Sequence, residues 1–163
     1  MTIKDSGSRR KFDTGAERDI TEDKGRCDLM PLDVVAFMLR DEKDAADPVL
    51  DYIYRFTATG NLLYLYYALD HFRFKWGIDS HTMLLEVAKH YSEGCKKYGE
   101  DNWKKGIPLR SYIDSGTRHY LKWLRDDQDE PHHKAFVWNM MSAIWTCKHK
   151  PELNDYPKKE KSE

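Results

Sequence analysis

From residue 32 onward, apolar positions recur at helical spacing, and polar punctuation cuts the pattern into segments. Leu32, Val35, Ala36 and Leu39 follow Pro31, which suits the first turn of a helix, and predict a helix ending near Lys43. Asp47 followed by Pro48 reads as a cap and a first-turn proline. The segment they start carries Leu50, Ile53, Tyr54 and Phe56 and stops at Thr59-Gly60-Asn61. The next helix, Leu62 to about Phe74, is apolar almost all round, which points to deep burial or a subunit interface. After Gly77, Asp79 or Ser80 can cap a helix whose stripe is Leu84, Val87, Ala88, Tyr91, Cys95 and Tyr98, ending at Gly99. From Pro108, residues Leu109, Tyr112, Ile113, Gly116, Tyr120, Leu121 and Leu124 line one face of the clearest amphipathic helix. Asp126 to Glu130 forms an acidic turn, and Pro131 opens a last helix with Val137, Met140, Met141, Ile144 and Trp145 on its buried side. No strand-length alternation between hairpin turns competes with these segments. The fold class is therefore all-α, a helical bundle.

The ends differ from the middle. Residues 1–28 alternate charges with Gly, Ser and Thr at no sustained period and read as an extended arm. Residues 29–149 form a single helical domain, and 150–163 read as a disordered charged tail. Lys+Arg number 27 against 28 Asp+Glu, which excludes the basic excess of a dedicated nucleic-acid binder and leaves room for a local basic site. The longest apolar run, Leu62 to Leu69, is far short of the roughly 20 residues a bilayer span needs. The polar N-terminus lacks an apolar leader, so the expected location is the cytoplasm. Cys27, Cys95 and Cys147 have no CxxC spacing, so neither a disulfide frame nor a zinc knuckle is indicated. Five Trp and ten Tyr are many for so polar a chain, and such rings either fill a core or stack on flat ligands.

Five groups of residues could carry chemistry. Glu86, His90, Glu93 and Lys97 stand in line on one helix, where two carboxylates and an imidazole could share a divalent metal; a solvated face of i,i+4 charge pairs has the same spacing. Lys97 to Lys105 sets Tyr98, Asn102 and Trp103 beside Lys104 in a Gly-containing loop. It could stack a base and meet phosphate, or simply be a helix cap followed by a packed turn. Asp114, Arg118 and His119, with Ser115, make a patch of varied donors and acceptors suited to phosphate or metal-bound water, although Asp114 and Arg118 also fit an ordinary ion pair. Asp129, Glu130, His132 and His133 open the last helix, where acids are expected on dipole grounds; the two histidines point about 100° apart and do not easily serve one site. Arg9, Arg10, Arg18 and Arg26 sit in the arm, which either stays solvated or folds over a phosphate-bearing ligand.

The runs DSGSRRKFDTGAERDITEDKGRCDLMP, HYSEGCKKYGEDNWKKGIPL, YIDSGTRHYLKWLRDDQDEPH and FVWNMMSAIWT resemble a phage and prophage family of the N-terminal dATP/dGTP diphosphohydrolase type. In that resemblance residues 42–80 look like a helical insertion. It implies a phage-encoded helical protein related to the all-α, MazG-like nucleoside triphosphate pyrophosphohydrolases, which are commonly oligomers and use Mg²⁺ or Mn²⁺ held by acidic residues. The motif positions are His90, Glu93, Lys97, Tyr98, Asn102 and Trp103, then Asp114, Arg118 and His119, then Asp129, Glu130, His133 and Asn139. The roles expected from the clustering of these groups are Glu93, with Glu86 or Asp114, as metal ligands and His90, Glu93 and Glu130 in catalysis, His90 or Glu130 as the water-orienting base. Lys97, Lys104, Arg118, His119, Arg9 and Arg10 would contact phosphate, with Tyr98, Asn102 and Trp103 on the nucleotide. Those pyrophosphohydrolases carry an EExxE run followed by ExxD; this chain has no EExxE run, and its last helix has no ExxD. The expected activity is a Mg²⁺-dependent purine dNTP pyrophosphohydrolase; the alternative is a non-catalytic nucleotide-binding protein. Expected partners are a nucleotide and a second copy of the chain, with no membrane and no dedicated nucleic-acid binding.

Overall fold

The computed structural model describes residues 7–20, 24–41, 43 and 45–156. Six α-helices follow one another: α1 (Leu32–Met38), α2 (Pro48–Thr59), α3 (Leu63–Trp76), α4 (Ser80–Tyr98), α5 (Leu109–Leu124) and α6 (His132–His149). The all-α reading holds. The helix ends follow local chemistry: the Asp47 side chain accepts from the Leu50 N–H and Asp79 from the Thr82 N–H, while Gly60 and Gly77 close α2 and α3 in the left-handed region. The helix expected to run to Lys43 ends at Met38.

α5 and α6, joined by the turn over 125–131, are the central pair. A Cβ on Gly116 would lie 2.5 Å from Met140 Cε and 3.3 Å from Asn139 Cβ, so side chains of α6 fill the space beside this glycine. Aromatic rings fill the core around Phe72, whose centroid lies 4.5 Å from Phe136 and 4.9 Å from Trp123. The stretch 42–80 is thus part of the core through α2 and α3. Leu65, Ala68 and Phe72 of α3 are buried, while Leu63, Tyr66, Tyr67 and Phe74 remain exposed. Asp47 ties this half to α5: its buried carboxylate accepts from Lys75 Nζ and from the Tyr120 hydroxyl, each at 2.6 Å.

The arm is ordered where it is described. It forms a two-stranded antiparallel hairpin, β1 (Arg9–Lys11) with β2 (Glu17–Asp19), in the register Arg9↔Asp19, Arg10↔Arg18, Lys11↔Glu17. Strands of three mostly charged residues leave no alternation to read. Buried Phe12 and Ala16 anchor the turn, and the Thr14 hydroxyl donates to the Gly106 carbonyl. At the other end, residues expected to be free from 150 onward pack down: the Arg110 N–H donates to Asp155 at 2.9 Å, and Tyr156 packs edge-on against Phe56. Residues 157–163, the rest of the expected tail, lie outside the described residues. Among the described residues no helix is long and apolar enough to cross a membrane.

Candidate functional site

The hairpin lies over α4, α5 and α6 and closes one side of a cavity of about 1120 Å³. Asp19 and Glu17 link it to α4 and the turn that follows. Asp19 accepts from Arg9 at 3.1 Å, Lys97 at 2.7 Å and the Tyr98 hydroxyl at 3.0 Å. The Asn102 amide pairs with the Glu17 backbone in both directions at 2.9 Å. Farther along, the Cys27 N–H donates to Asp114 at 2.5 Å, while Arg118 donates to the Gly25 carbonyl and to Asp114, each at 2.7 Å.

Arg18 is the cation at the centre of this wall. Its guanidinium donates to the Ser111 carbonyl at 3.0 Å and to Asn139 Oδ1 at 2.9 Å, and lies 5.5 Å from the ring centres of both Tyr112 and Trp138. Burial lowers its pKa, with Tyr112 opposing, yet an arginine keeps its charge. Among the described residues its hydrogen-bond acceptors are neutral, so a part-buried positive charge borders the cavity with no carboxylate bonded to it. Arg10, Lys24, Arg26, Arg118 and Lys122 border the same space, as do the rings of Tyr98, Trp103 and Trp138.

The structure redistributes the expected roles. Glu86 is held by Lys89 and by Lys134 at 2.7 Å, and these lysines bring its pKa down to about 2. Glu93 pairs with Lys96. Neither acid borders the cavity, and both oxygens of Asp114 are already engaged, so the Glu86–Glu93–Asp114 metal set is not assembled. The acids stand on one helix face as their spacing requires, but that face is the one the lysines cover.

Lys97 is spent on Asp19, and Lys104 on Asp101 at 2.8 Å beside the Trp103 ring; neither borders the cavity. Asn102 pins the hairpin, and Arg9 pairs with Asp19 beneath the cavity wall, leaving Arg10 as the arm's first bordering cation. Trp103 meets Tyr91 and Trp145 edge-on at 5.6 and 5.0 Å. His133 packs against Trp76, away from the cavity.

His90, His119 and Glu130 do border the cavity. His90 is buried, its Nδ1 has no hydrogen-bond partner among the described residues, and burial, reinforced by Lys134, pushes its pKa down to about 4. Residues not singled out beforehand include Asp19, Lys24, Lys122 and Trp138; the place of Asp19 follows from docking of the hairpin, which no local spacing encodes.

A family model described as dATP/dGTP diphosphohydrolase, N-terminal, matches residues 70–156, just over half of the chain and the part that holds every helix facing the cavity. No curated protein and no solved structure matches the chain.

Proposed function

The chain belongs to the dATP/dGTP diphosphohydrolase N-terminal family, and from that premise we propose that its cavity binds a purine deoxynucleoside triphosphate and hydrolyses it to the monophosphate and pyrophosphate. The observation that carries this reading is Arg18: a part-buried guanidinium bonded to neutral acceptors on a cavity wall favours a polyanion there, because an anion supplies the opposite charge that its own partners do not. Arg10, Lys24, Arg26, Arg118 and Lys122 widen the basic surround for a triphosphate, and Tyr98, Trp103 and Trp138 offer ring faces or edges to a base. In the reaction, water adds to the α-phosphorus and the bond to the bridging oxygen breaks, with pyrophosphate leaving. Mg²⁺ in this reading travels with the nucleotide on its phosphate oxygens.

A second reading, nucleotide binding without turnover, is favoured by one observation: the carboxylates expected to gather on a metal are held apart by lysines and by the arm. Phosphorus NMR of dGTP and of dATP with protein and Mg²⁺ separates the two. Growth of pyrophosphate and monophosphate signals supports hydrolysis; tight binding with the nucleotide intact supports the second reading; absence of both binding and product rejects the two together.

The phage setting belongs to the same proposal, as does action in the host cytoplasm on the nucleotide pool. So does a homo-oligomer, supported by the apolar side chains that α3 leaves exposed. Light scattering is expected to give a mass above the 19.3 kDa of one chain; a monomer at every concentration rejects it.

A further inference from the structure

The turn between α5 and α6 gathers a second cluster, which the nucleotide reading does not use. His119, on α5, places its Nδ1 2.9 Å from Nδ1 of His132, at the start of α6. One ligand atom each from His119, His132 and Glu130 lie within 4.8 Å of one another. A second trio, Asp127, Asp129 and His132, shares His132, but Arg125 engages both oxygens of Asp127.

We propose that His119, His132 and Glu130 form a site for a divalent transition-metal ion of the Mn²⁺, Co²⁺ and Zn²⁺ class at the edge of the cavity. Two imidazole nitrogens on one ion, each roughly 2.1 Å from it, stand about 3.0 to 3.4 Å apart at angles between square and tetrahedral. The observed 2.9 Å is close to that span. The orientation of His132 comes from outside the trio: its Nε2 donates to Asp129 at 2.8 Å, and Asp129 accepts from Lys122 at 3.0 Å. A carboxylate on the far nitrogen fixes the tautomer that leaves Nδ1 as a lone-pair donor toward His119, which is how metal-binding histidines are commonly held. With His132 Nδ1 accepting, the contact between the rings is made by the His119 Nδ1 proton; when a cation binds there, that proton moves through solvent to His119 Nε2 and the ring stays neutral.

The setting adds a second indication. His119 and Glu130 border the cavity, so an ion reaches them from solvent, and His90, buried with an Nδ1 that has no partner among the described residues, borders the same space. Two imidazoles and one carboxylate suit borderline ions, whereas Mg²⁺ takes oxygen donors and water. The set therefore differs in chemistry as well as in place from Glu86, Glu93 and Asp114. That such an ion would face bound phosphate rests on the nucleotide reading; the metal site itself does not.

The test uses Co²⁺ as the probe, titrated without nucleotide into the metal-stripped full chain and followed by calorimetry and visible absorption. One ion per chain is expected, with d–d bands reporting nitrogen ligation, displaced by Zn²⁺ and unaffected by excess Mg²⁺. His119→Gln and Glu130→Gln should each weaken binding by at least about 10-fold, and Asp129→Asn by about 10- to 100-fold, with unchanged circular dichroism. Absence of stoichiometric Co²⁺ binding, or binding that both His119→Gln and Glu130→Gln retain, overturns the proposal. A parallel titration with Mg²⁺–dGTP, free of transition metals, keeps the two readings apart: Co²⁺ binding without dGTP binding rejects only the nucleotide site, and the reverse rejects only the metal site.

Discussion

His90 shows how a single buried side chain sets a pH dependence. It sits on α4 with its ring 6.1 Å from that of Trp138, and burial disfavours its cationic form. Its folded pKa, about 4, lies below the ordinary 6.5, so the folded state holds fewer protons in that window. Its neutral form is fully compatible with the fold above pH 6.5, and stability is lost as the pH falls from there toward 4. The loss attributable to this group is on the order of 3 kcal/mol. Urea unfolding at pH 7 and at pH 5 is expected to show a smaller drop for His90→Gln than for the wild type; equal drops contradict the assignment. The residue was legible in the sequence as a candidate on the Glu86–Lys97 face, but its role there was not, because spacing places residues on a face without saying which side of that face is covered.

At the scale of elements, most of the fold could be read ahead of the structure, because helix ends are chemistry within three or four residues. Asp47-Pro48, Asp79, Gly60 and Gly77 do in the structure what their types predict. The hairpin could not be read, since its three-residue strands are held by Phe12, Ala16 and contacts to α4 rather than by their own pattern. Nor could the second function of Asp47. Beyond capping α2, it accepts from Lys75 and from Tyr120, joining α2, α3 and α5 through one buried carboxylate, and with burial it raises the Tyr120 pKa. Asp47→Ala leaves the Lys75 charge and the Tyr120 hydroxyl without their acceptor, and thermal or urea unfolding is expected to register a loss of about 3 to 5 kcal/mol. Asp47→Asn, which keeps the cap, should lose less. An alanine variant within about 0.5 kcal/mol of wild type contradicts the role.

At the scale of the molecule, the arm makes the site. Arg18 reaches Ser111 and Asn139, 93 and 121 residues away in sequence, and Asp19 reaches Lys97 and Tyr98. Such juxtapositions depend on docking, so spacing shows the arm arginines and Lys97, Lys104 and Asn102 as candidates but not that Lys97 and Asn102 also hold the arm while Lys104 pairs with Asp101. Asp19→Asn is expected to raise hydrogen exchange in residues 9–19 while leaving α5 and α6 protected, and to lower dGTP affinity about 10-fold. Unchanged exchange in the arm would show that Asp19 is not its anchor.

In the proposed function a purine nucleotide enters the arm-covered cavity and meets Arg18, and calorimetric titration of dGTP into the wild type and Arg18→Gln decides whether it does. One nucleotide per chain is expected for the wild type, with an affinity about 10- to 100-fold lower for the folded variant. No binding by the wild type, or equal binding by the two, would contradict that reading.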